Sequence, residues 1–197
     1  MSVLARIDGR RLRSRRTEER LVAAYLELVA ESGTPPTCSQ VAARAGCSVR
    51  TLFDRFRDMA HLARTAVARP PPLDRASRIR LYVAARARLC EHWLSLSARR
   101  PDAPAVREEL SGLAEIEALY EPELSLLETA ERRRLLIVLG TLTDVGGWAG
   151  IRRRYGRSMA EACDVWHAAI DRLLPPTPAA ARLTADLRDA IPAGTSP

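Results

Sequence analysis

The side chains best able to do chemistry in this sequence crowd into one short stretch. Ser48, Arg50, Thr51, Asp54 and Arg55 alternate with Val49, Leu52, Phe53 and Phe56, which recur at i, i+3, i+4 and i+7. A helix with that pattern hides its apolar positions and turns hydroxyls and guanidinium groups outward. An arginine fork binds phosphate or guanine bidentately, and hydroxyls donate to phosphate or base edges, so the chemistry on offer is recognition of a polyanion. Ser48 suits the cap of that helix equally well. Upstream lie Arg6, Arg10, Arg11, Arg13, Arg15 and Arg16, able to follow a nucleic-acid backbone or enter a minor groove.

Other chemistries are poorly served. The cysteines Cys38, Cys47, Cys90 and Cys163 form no CxxC pair, and His61, His92 and His167 stand apart from them; no zinc spacing results, and buried thiols in a reducing cytoplasm are expected. No Gly-rich phosphate loop, G-x-S-x-G, HExxH or convergent acid–base set occurs, so no catalytic residue, metal or cofactor is expected. Residues 1–69 hold 13 Arg against seven Asp and Glu, a net +6 of the chain's +7. So one-sided a field suits nucleic acid or an acidic surface at that end.

The elements that must hold these groups read as helices throughout. Residues 1–16 are too polar to bury themselves and are expected to form a flexible basic arm. A first helix starts at Thr17, carries Leu21, Tyr25, Leu28 and Ser32 on one face, and stops at Gly33 before Pro35-Pro36. Thr37 and Gln40 read as a capping box for a short second helix, Gly46 as a tight turn, Ser48 as the cap of the third helix and Asp58 as that of a fourth ending near Ala68. After Pro70-Pro71-Pro72 the spacing predicts a long helix over 74–99, shorter ones over 106–113 and 115–127, a strongly apolar one over 131–154, and a last one capped by Ser158. The tail from Pro175 is expected to be loose. No stretch alternates like a strand, so the fold class is all-α, divided as arm 1–16, DNA-binding domain 17–69, helical domain 70–174 and tail 175–197.

The segment Gln40-Val41-Ala42, Ala45-Gly46-Cys47-Ser48-Val49-Arg50-Thr51-Leu52-Phe53-Asp54-Arg55-Phe56 and Leu62, within Arg20–Val67, resembles the DNA-binding domain of the tetracycline-repressor-like (TetR) regulators. The resemblance covers about a quarter of the chain. It implies that Ser48, Arg50, Thr51 and Phe53 touch DNA; with Arg15, Arg16, Thr37 and Arg55 they are the candidate contacts. Phe53 replaces the family's usual tyrosine and Met59 its common lysine, so two phosphate contacts are missing, and Asp54 adds an acid. The resemblance further implies a homodimer on a palindromic operator and a small-molecule effector, most often releasing a repressor.

The C-terminal half must supply the rest. Leu135 to Ile151 contains no charge except Asp144. It is too short for a membrane span, and a central Asp would cost about 3 kcal/mol there. Burial on two sides, against its own domain and a second copy across a two-fold axis, explains such a helix better, with Gly140, Gly146, Gly147 and Gly150 permitting close approach. Candidates for an effector pocket are His92, Trp93, Tyr120 and Trp148. The alternative is a non-enzymatic interaction protein whose helix-turn-helix no longer binds specific DNA.

Overall fold

The computed structural model describes residues 3–68, 73–99 and 112–182, with side chains from residue 14 onward and none at Arg99. Among them every regular element is helical: α1 (Val3–Ser32), α2 (Cys38–Arg44), α3 (Val49–Phe53), α4 (Met59–Ala68), α5 (Arg75–Arg99), α6 (Leu113–Leu124), α7 (Thr129–Leu142), α8 (Val145–Ala149) and α9 (Met159–Leu173). The all-α expectation therefore holds. The Pro70-Pro71-Pro72 break, residues 106–111 of the helix expected over 106–113, and the tail from residue 183 lie outside the described residues; the first part of the tail is not loose, since residues 178–182 are helical and the Arg75 guanidinium donates to the Pro175 carbonyl.

Local signals account for most helix starts. Thr37 and Gln40 exchange both capping-box bonds, as do Ser158 and Glu161, satisfying amides that have no partner inside the helix. The Ser48 hydroxyl accepts from the Thr51 amide at 3.1 Å, and Asp58 accepts from the His61 amide at 2.7 Å.

Several expectations about the helices fail. The arm is not separate from the first helix: α1 runs unbroken from Val3, because arginine is a good helix former and no proline interrupts it. Its buried side is Leu21, Ala24, Tyr25 and Val29; Leu28 is half-buried and Ser32 exposed. The apolar stretch 131–154 is not one helix. It breaks at Thr143, and Asp144 caps α8 by accepting from the Gly147 amide at 2.6 Å. A π-helical turn, Gly150–Arg154, follows α8. Gly147 serves this corner, since a Cβ there would stand 2.6 Å from the Leu142 carbonyl, whereas one at Gly150 would meet nothing within 4 Å.

One core spans α1 to α9. At its centre Trp148 packs on Trp166, ring centres 4.7 Å apart, and donates to Glu91 at 2.9 Å. The Arg78 guanidinium meets Glu123, which is wholly buried. Cys90 and Cys163 are buried too, their thiols pushed up to about 12 by burial, while Cys38 and Cys47 are only half-buried. On α7, Leu139 faces inward while Ile137 and Val138 are 58% and 47% exposed; Val165 and Leu173 of α9 are also exposed.

Candidate nucleic-acid interface

The α2–turn–α3 unit is fastened from below. Gly46 takes φ +63 in the turn, and the Cys47 amide donates to Ala42 at 2.9 Å. Arg20 of α1 reaches the Ala45 carbonyl and, at 3.2 Å, that of Gly46. Arg44 of α2 pairs with Glu31 of α1 at 2.8 Å and with Glu27 at 3.3 Å; its hydrogen bond holds the Glu31 carboxyl below the ordinary range. Leu52 of α3 is fully buried and Phe56 nearly so. With α3 pinned on that side, its other side is committed to the outside.

That outer side carries Ser48, Arg50, Phe53, Asp54 and Arg55, all exposed, with Thr51 half-buried. Phe53 is 46% exposed, and Val49, expected in the core, is only half-buried. The Ser48 and Thr51 hydroxyls lie 2.9 Å apart, so one donor remains between them for an outside acceptor. Thr37 is spent on its cap. Arg55 donates to Ser14 of α1 at 2.5 Å, which brings the exposed Arg15 and Arg16 beside the end of α3. The structure thus gathers α3 and the middle of α1 into one basic face, with Thr37 at the far end of α2. Asp58 sits behind it; burial raises its pKa, but the His61 amide and Arg57 outweigh that and leave it low.

The four pocket candidates do not converge. His92 is exposed and Trp93 half-buried. Tyr120 is fully buried edge-on to Tyr82, ring centres 5.9 Å apart, and Trp148 is consumed by Trp166 and Glu91. Large aromatic rings went into the core because their area is worth most there. A cleft lies instead between α4, α5 and the start of α6, lined by Arg64, Val67, Tyr82, Ala85, Arg86, Leu89, Gly112 and Glu115. Arg86 is 4% exposed and donates from Nε to the Thr143 carbonyl at 2.8 Å, and the Tyr82 and Thr143 hydroxyls lie 2.7 Å apart. The cleft therefore touches the α7–α8 corner directly. Sequence reasoning missed Arg20, Arg44 and this cleft. Glu27 and Glu31, one helical turn apart, were a visible signal for a basic partner of α1.

Among the described residues no set of three or more His, Cys, Asp or Glu could hold a metal ion. No single described helix is long and apolar enough to cross a membrane; only α7 with residues 145–154, bent by 42°, reaches that composition as a pair. Comparison with protein-family models, with curated proteins and with solved structures gave no match.

Proposed function

We propose that this chain is a DNA-binding transcription regulator of the TetR type, α2 and α3 forming its helix-turn-helix and α3 reading the major groove. The observation that carries this reading is the division of α3: Leu52 sealed, Arg50, Phe53 and Arg55 outside, and the whole unit braced by Arg20 and Arg44. That bracing fixes the orientation in which α3 presents its outer side, which a recognition helix requires. A basic face of hydroxyls and guanidinium groups fits phosphate and base edges.

A regulator of this kind works as a two-fold dimer, and the exposed apolar residues of α7 and α9 supply a surface that a second copy would cover. Two α3 helices about 34–36 Å apart would then meet successive major grooves of a palindromic site. The cleft between α4, α5 and α6 has a free volume of only about 20 Å³, room for a water, so a small-molecule effector would have to widen it; its position between α4 and the side chains that hold Thr143 is what recommends it. The reading is non-enzymatic, repressor being its usual sense.

The test is binding to DNA flanking the chain's own gene, followed by gel shift and footprinting. Sequence-specific protection that weakens steeply with salt is expected, with Arg50→Ala losing about tenfold or more in affinity. Equal binding to every fragment would overturn the proposal. One observation favours a second reading, an interaction protein without a specific operator: Phe53 offers a bare ring beside Asp54 where a phosphate donor would serve DNA better. Recovery of a protein partner, together with failure on all genomic fragments, would decide for it.

A further inference from the structure

The link between α1 and α2 is gripped from two sides. Gly33 ends α1 with φ +65, its amide donating to Val29 at 2.8 Å. A Cβ built there would stand 3.0 Å from Cε1 of His167 on α9, so the imidazole lies against the link itself. From α5, Arg88 donates to the Pro36 carbonyl at 2.6 Å and to that of Pro35 at 3.3 Å. The three helices that meet here leave three buried polar atoms without a hydrogen-bond partner: the Tyr25 hydroxyl, Arg88 Nε and His167 Nε2. Such atoms are rare in folded proteins and mark places held by their surroundings rather than by their own bonds.

We infer that His167 is a proton-operated latch on the α1–α2 link, seated against Gly33 when neutral and expelled from it when protonated. A proton added at Nε2 creates a donor aimed where no acceptor stands, and the half-buried ring's charge is costly to hold there even with the Asp164 carboxylate near Nδ1. The charged groups around the ring are Asp164, whose carboxylate is 3.9 Å from Nδ1, and Asp171 on α9, with Arg80 on α5; α1 meets it with the Gly33 backbone. Burial, and secondarily Arg80, hold the ring's pKa below its ordinary value against the pull of Asp164. An exit exists, a groove between α5 and α9 lined by Ile79, Arg80, Ala168 and Asp171. Because the seated ring has the lowered pKa, the seated state is fully favoured above the free-ring value of about 6.5 and loses ground as pH falls below it.

The experiment is a titration of the full-length, isotopically labelled protein from about pH 7.5 to about pH 5, across the range in which histidine changes charge. The Gly33 amide signal and the His167 Cε1 proton are expected to shift with one shared midpoint. Exchange of the Gly33 amide, corrected for intrinsic rates, should rise by about threefold or more across it. His167→Gln, checked for helicity, should remove the Gly33 step. A flat Gly33 signal while His167 titrates overturns the latch, as does a step that survives in the variant; if the variant does not fold, the coincidence in the wild-type protein decides alone. None of this depends on DNA. Operator binding measured over the same range separates the two proposals: an intact Gly33 step without any operator binding supports the latch and counts against the regulator.

Discussion

Phe53 is the residue at which chemistry and environment disagree most. A ring this exposed, one turn from Arg50 on the outer side of α3, gives away apolar area to water and offers no donor. Adding the hydroxyl, Phe53→Tyr, leaves packing unchanged and supplies one phosphate donor, so operator affinity should rise by about three- to tenfold in a fluorescence titration. Unchanged affinity would mean that position 53 does not face the backbone of DNA. Deeper in, Glu123 and Arg78 form the ion pair with most to lose. Removing one partner leaves an uncompensated charge, so Glu123→Ala should cost about 3–5 kcal/mol in a denaturant melt. Replacing both residues with leucine and methionine should cost much less, since neither charge is then stranded. Equal losses would show that packing, rather than the stranded arginine, sets the cost.

At the scale of elements, caps are where stability and recognition separate. Ser48→Ala should cost about 1 kcal/mol by lowering the denaturant midpoint, and Ser48→Gly only a few tenths. If both weaken DNA binding equally, the hydroxyl acts on DNA; if binding follows stability, it acts as a cap. The capping box of α9 adds a pH signature. The Ser158 amide and hydroxyl hold the Glu161 carboxyl below its usual range, assisted by Arg157. A lowered carboxyl contributes stability above its unfolded pKa and loses it as pH falls through the folded value. Glu161→Gln, which keeps the reciprocal bond, should therefore flatten the drop in stability between about pH 5 and about pH 3. These caps were legible because they depend on residues three apart. The break at Thr143 was not, since an apolar run hides its period; the usable cue was Asp144 followed by Gly146-Gly147, an acceptor with small residues behind it. The helical start of α1 was not legible because residues 1–16 have little to bury, and only the helix preference of arginine argued for it. The cleft was invisible for a different reason. Arg64, Arg86 and Glu115 look like solvent-facing residues until three distant helices assemble around them.

For the whole molecule, the proposed regulator gives the one-sided charge and the exposed face of α7 and α9 opposite tasks. Ile137→Glu places a charge on the apolar face without touching Leu139 behind it, so the chain should sediment as a monomer at micromolar concentration with its helicity intact. Operator affinity should then fall by orders of magnitude, because one reading helix loses the partner that doubled its contacts. A dimer that survives the substitution would place the contact elsewhere. The length of α1 has its own consequence. Thirty residues make a rod about 45 Å long, clamped near its C-terminal end and braced by Arg20 and Ser14 against the turn and α3. With those braces released, tilting that rod by about 10° at Gly33 would sweep its far tip through about 8 Å, more than two base-pair steps. A displacement too small to notice at the hinge becomes a change of register at the basic tip, as a gauge needle magnifies the movement of its spindle.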